Sequence, residues 1–99
     1  MRYQFDWDPT KEAKNIQAHK LDFHRAATVF HDPNQVSIYD EEHSKTEDRW
    51  VTIGIDNNGV LRVIVHTYEQ LIDTLCEIRI ISARKATKKE ARQYGERPL

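Results

Sequence analysis

Ninety-nine residues, 38% of them hydrophobic and 31% charged, support one modest core beneath a very polar surface, so residues 1–99 are expected to form a single domain. The lone cysteine, Cys76, excludes an intrachain disulfide and a thiolate zinc cage, and the acidic Asp6 and Asp8 precede any apolar stretch; the expectation is a cytoplasmic protein with neither a secretion signal nor a membrane span. The net charge of −1 hides a segregation, because residues 1–78 carry eight Lys/Arg against fourteen Asp/Glu (−6) whereas residues 79–99 carry seven against two (+5).

Tyr3, Phe5 and Trp7 alternate with polar neighbours as a short strand does, and Asp8-Pro9 then supplies a helix cap followed by a proline whose φ suits the first turn. A helix over about 9–19 follows. A second begins at Leu21-Asp22, with Phe23, Ala26, Ala27 and Phe30 at i, i+3, i+4, i+7, and ends at Asp32-Pro33. The period then changes to two. Val36 and Ile38 mark one strand, and Val51, Ile53 and Ile55 one face of the next. Asn58-Gly59 signals a tight hairpin into a strand from Val60 to Tyr68, which puts Arg62, Ile64 and His66 on one face and Leu61, Val63 and Val65 on the other. A loop is expected near 69–74. The strand from Leu75 to Arg84 sets Ile78 and Ile80 against Glu77, Arg79 and Ile81, and Thr87 with Glu90 forms a capping box for a short basic helix to about Tyr94. The fold class is α+β, with a short N-terminal strand, two helices, an antiparallel sheet of about four strands and a C-terminal basic helix.

Specific residues carry more than pattern. Phe5-Asp6-Trp7-Asp8-Pro9, then Asn15 and His19, then Phe23, Ala26-Ala27 and Phe30 with Asp32-Pro33, then residues 47–54 (Glu-Asp-Arg-Trp-Val-Thr-Ile-Gly), and finally residues 79–87 (Arg-Ile-Ile-Ser-Ala-Arg-Lys-Ala-Thr) with Glu90, occur in the order and spacing of one family. The chain resembles BrnT toxins over nearly its whole length. It departs from the family pattern at Ala18-His19-Lys20, where Lys-His-Gly is usual, and at residues 69–74, which are more apolar through Leu71 and Ile72. The resemblance implies a RelE-like fold and a ribonuclease toxin that inhibits translation and growth without a cofactor. It also implies a BrnA-like ribbon-helix-helix antitoxin as partner, with operator DNA bound only through that antitoxin.

Metal-free RNA cleavage needs a 2′-hydroxyl deprotonated, phosphorane charge stabilised and a leaving oxygen protonated. His66 is the candidate acid or base, since histidine titrates near neutrality, and Arg79 and Arg84 are the candidate phosphate clamps. Arg62 shares the His66 side of its strand, and if that side is also the side of Glu77 and Arg79 the four form one polar cluster on an open sheet face. Lys85, Lys88, Lys89 and Arg92 are placed to follow the RNA backbone, and Tyr94 to stack on a base or donate a proton.

Blander readings stand beside these. An exposed histidine is usually only solvated, Arg79 beside Glu77 suits a surface ion pair, a lysine-rich helix is usually a wet face, and Trp7 and Trp50 suit packing. His19, His24, His31 and His43 lack close ligand spacing, so no metal site is expected. The acidic run over 40–48 suits a solvated loop or a contact for a basic antitoxin segment. The alternative to an enzyme is a non-catalytic module that binds nucleic acid or a partner on the same basic face.

Overall fold

The computed structural model describes residues 1–96; Arg97, counted above in the basic segment, lies outside the described residues. The order is β1 (Arg2–Trp7), α1 (Pro9–His19), α2 (Phe23–Ala27) continued by a 3-10 turn (Thr28–His31), β2 (Val36–Tyr39), β3 (Trp50–Ile55), β4 (Leu61–Ile72), β5 (Leu75–Lys85) and α3 (Lys88–Gly95).

Local chemistry sets the helix ends. The Asp8 carboxylate accepts the Thr10 amide at the start of α1, with Pro9 in the first turn, and Asp22 accepts the Arg25 amide at the start of α2. Lys20 terminates α1 in the left-handed region at φ 56°, so the position where the family pattern has glycine keeps the glycine geometry with a side chain attached.

The sheet has five strands in the order β1-β5-β4-β3-β2 and is mixed, because β1 runs parallel to β5 while the other pairs are antiparallel. This corrects the expected four-stranded antiparallel sheet. The connection between β1 and β5, residues 8–74, carries both helices and β2, β3 and β4, far more than the length of crossover that a parallel pairing requires. The loop expected near 69–74 is also corrected. β4 continues to Ile72 with Gln70 opposite Cys76 and Ile72 opposite Leu75, leaving Asp73-Thr74 as the turn. At the other end Gly59 takes φ 78° in the Asn58-Gly59 turn, and the Asp56 carboxylate accepts the Asn58 and Val60 amides beneath it.

One face of the sheet packs against the helices. Leu21, Phe23, Ala26, Ala27, Val29 and Phe30 bury themselves on Ile64, Ile78, Ile80 and Ala83, with Tyr3, Phe5 and Trp7 closing the side. Asn15 is buried at the seam, where its amide donates to the Leu21 carbonyl and its oxygen accepts the Ala83 amide, tying α1 to β5. Gly54 is required by this packing, since a Cβ there would stand 2.7 Å from Val29 Cγ1. α3 contacts β3 and is tethered by Tyr94, whose hydroxyl donates to the Asp32 carboxylate at 2.6 Å.

Candidate active-site face

Cross-strand register decides which side chains share a face. Val65 stands opposite Ser82 but His66 stands opposite Ile80, so Ile81 is the extra residue of a β-bulge in β5. The bulge resets the alternation. Arg79 opposite Thr67, Ser82 opposite Val65 and Arg84 opposite Val63 therefore all lie on one face, although a spacing of five would set Arg79 and Arg84 on opposite faces of a regular strand.

That face differs along its length. At the end near α3, the Arg84 guanidinium grips Glu90 with two bonds of 2.7 and 2.9 Å, while Glu90 also accepts the Thr87 amide to complete the capping box. The Arg84 guanidinium, with help from Thr87, holds the Glu90 carboxyl at about 2. Lys88, Lys89 and Arg92 on α3 and Lys85 at the end of β5 are all exposed, Lys85 standing opposite Arg62 on the other face of the strand from Arg84. Farther along β5, Arg79 lines an open cavity of about 360 Å³ together with Glu47, Asp48, Thr67, Tyr68, Glu69 and Glu77. Arg79 is paired, among the described residues, through a loose 3.3 Å contact with Asp6, between side chains 58% and 51% exposed. Glu69 and Glu77 face each other across the β4–β5 pair, an arrangement of like charges that destabilises a sheet unless a cation offsets it.

His66 does not lie there, which corrects the expected polar cluster. Opposite Ile80, it belongs to the helix-covered face and is 2% exposed. Phe30 meets the imidazole edge-on at 4.9 Å, Nδ1 lies 2.9 Å from the Thr67 carbonyl, and Nε2 lies 2.6 Å from the Thr52 hydroxyl. Burial pushes its pKa below the ordinary histidine value, with the Thr67 carbonyl acting against that shift. The sequence reading failed because a buried histidine carrying a full set of partners has the same alternation as an exposed one.

Arg62 is corrected in the same way. Its Nε donates to the buried Asp56 at 2.9 Å, and its side chain is only 13% exposed. Burial alone would raise the Asp56 pKa, but Arg62 and the Val60 and Asn58 amides hold it below the usual carboxylate value. Tyr94 is half-buried and bonded to Asp32, so its hydroxyl serves the packing of α3.

The geometry adds residues to those the sequence suggested. Glu77, already a candidate beside Arg79, is joined in the cavity by Tyr68 and Glu69, and Glu69 escaped because the strand ran on where a loop was expected. Among the described residues, Glu12, Asp22 and His24 bring possible ligand atoms within 4.8 Å of one another. Glu12 and Asp22 there already accept the Phe23 and Arg25 amides, which accounts for their position.

No helix of the described residues is long and apolar enough to cross a membrane. A family model described as a ribonuclease toxin, BrnT, of type II toxin-antitoxin system matches residues 7–90. No curated protein matches the chain. Among solved structures, the crystal structure of the Brucella abortus ribonuclease toxin, BrnT, is similar at 21% identity, covering 89% of this chain and 100% of that one with a TM-score of 0.60, a likeness of fold.

Proposed function

The chain belongs to the BrnT family of ribonuclease toxins of type II toxin-antitoxin systems, and on that premise we propose that it is a RelE-like endoribonuclease that cuts RNA without a metal ion. Cleavage in the cytoplasm arrests translation and growth, and a BrnA-like ribbon-helix-helix antitoxin, itself the operator-DNA binder, silences it. The observation that carries this reading is Arg79, an exposed guanidinium loosely held by Asp6 in a cavity whose other walls offer carboxylates.

In this reading Arg79 takes the scissile phosphate, since an exposed pair at 3.3 Å exchanges readily for a bidentate phosphate contact. Glu77, on the same strand face, removes the 2′-hydroxyl proton as that oxygen attacks phosphorus, and solvent water in the open cavity protonates the departing 5′ oxygen. Lys85, Lys88, Lys89 and Arg92 follow the flanking backbone and make binding salt-sensitive. Arg84 is a positioning residue whose two bonds to Glu90 aim α3. His66 acts from the covered face, through the strands it bridges.

One observation favours a second reading of the cavity. Four carboxylates, Glu47, Asp48, Glu69 and Glu77, surround the single guanidinium, which suits a basic segment of a protein partner better than a polyanion. Induction of the wild type and of Arg79→Ala in a bacterial host, following growth and bulk RNA together, separates the two. An enzyme arrests growth with fragmented RNA, and the variant slows cleavage by about 100-fold or more while still folding and binding antitoxin. A binding module leaves RNA intact, and its toxicity falls only in step with affinity for the partner.

A further inference from the structure

Beyond Trp50 the β3 strand ends, whereas β4 runs on to Ile72, so among the described residues one stretch of β4 edge has no neighbour in the sheet. Two cavities open on this stretch and share Tyr68. One holds Arg79. The other, on the helix-covered side, has a volume of about 190 Å³ and is lined by Ser37, Trp50, His66 and Tyr68. It is smaller than the roughly 300 Å³ at which sites for drug-sized ligands begin, and so suits a single flat ring system. Its walls are aromatic. Trp50 is held in place by Tyr39, edge-on at 5.2 Å, and Tyr68 by Cys76, whose thiol donates to the phenol oxygen.

The polar side of this cavity has a defined hydrogen-bond direction. The Thr67 carbonyl can only accept, so Nδ1 of His66 carries the imidazole proton and Nε2 of the neutral ring presents a lone pair. The Thr52 hydroxyl then donates to Nε2, and having one hydrogen it must accept at its own oxygen from Ser37, 2.7 Å away. Ser37 has given its hydrogen inward. Its oxygen therefore meets a ligand with lone pairs alone.

We propose that this cavity is a nucleobase subsite, in which one RNA base inserts between Trp50 and Tyr68 and donates an N–H to the Ser37 oxygen. Base-to-aromatic stacking supplies affinity without sequence preference, and the inward-pointing chain Ser37–Thr52–His66 adds selection for an N–H edge. His66 lines the same cavity and, through Thr52, fixes the direction in which the Ser37 oxygen accepts. With the base seated on one side of Tyr68, the adjoining phosphate has only to round the bare β4 edge to reach Arg79. The inference rests on the ribonuclease reading above and specifies which part of the substrate the toxin holds.

The protein's two tryptophans make the test direct, because a Trp7→Phe background leaves Trp50 as the sole indole reporter. The four ribonucleoside 5′-monophosphates are titrated against Trp50 fluorescence, with purine riboside monophosphate, whose base has no N–H, as control. Saturable quenching by at least one natural nucleotide is expected. Ser37→Ala and the switch to the purine riboside should each weaken it by about threefold to tenfold, the range of one net hydrogen bond, and Ser37→Thr should restore it. Absence of saturable quenching from a folded protein overturns the subsite, as does quenching that is equal for Ser37→Ala and for the purine riboside. Either result leaves the ribonuclease reading standing if RNA is still fragmented on induction. Intact RNA with normal quenching would remove the enzyme and keep the base site.

Discussion

The two arginines on the open face of β5 share an environment in outline and are treated oppositely. Arg84 is closed by two short bonds to a carboxylate that also caps α3, while Arg79 leans on Asp6 at 3.3 Å with both side chains half in solvent. A third arginine extends the series, since Arg62 is paired to Asp56 with side chains 13% and 0% exposed, against 42% and 19% for Arg84–Glu90 and 58% and 51% for Arg79–Asp6. Solvent and salt screen an ion pair in that order. A guanidinium with a buried partner belongs to the fold, and one with a wet partner is open to exchange with a ligand. The same chemical group therefore changes from scaffold to candidate site within one sheet.

The comparison breaks first, if it breaks, at the buried end. Asp56→Ala strands Arg62 and removes the acceptor of two turn amides, so a loss of about 3–5 kcal/mol in urea unfolding is expected. A loss under about 1 kcal/mol would mean that exposure does not rank these pairs. Glu90→Gln is the intermediate case. The amide keeps the capping bond to the Thr87 backbone but removes the charge facing Arg84, and solvent beside Arg84 limits the expected cost near neutrality to about 1–2 kcal/mol.

Acid titration tests that assignment independently. The Glu90 carboxyl lies at about 2 in the fold against an ordinary 4.5, so its contribution is complete above 4.5 and disappears as pH falls towards 2. The stability gap between wild type and Glu90→Gln should close across that window. His66, whose depressed pKa favours its neutral form, also loses stability on acidification, beginning below the ordinary histidine value of 6.5; that decline should be common to both proteins. A gap that persists below pH 2 would assign the Glu90 effect to packing.

Much of the fold is legible because the signals are local. Asp8-Pro9, Asp22, Asn58-Gly59 and the Thr87/Glu90 box act within a few residues, and each stands where the sequence indicates. The parallel pairing of β1 with β5 is not legible, since it joins Asp6 to Arg79 across most of the chain. Nor is the bulge at Ile81, a backbone feature without a residue signature here, although it alone brings Arg79 and Arg84 onto one face. The family resemblance found Arg79 and Arg84 as a block without saying which was available. His66 and Arg62 were misplaced for a related reason: their alternation with Ile64 gave the side of the strand, and only the tertiary fold shows that the helices cover it.

Asp6→Asn has the smallest expected effect on stability and bears most directly on function. The 3.3 Å contact is exposed on both sides and Asn retains a hydrogen-bonding oxygen, so the free energy of unfolding should move by less than about 0.5 kcal/mol. Arg79 loses its competing anion while the cavity loses no wall. If exposure is what makes Arg79 available, RNA cleavage by Asp6→Asn should equal or exceed that of the wild type, and the double variant Asp6→Asn, Arg79→Ala should be as inactive as Arg79→Ala alone. Cleavage that falls in the folded single variant would instead mean that Asp6 aims the guanidinium. Arg79 would then resemble Arg84, a group fixed by its partner, and the contrast between the two ends of β5 would be one of distance alone.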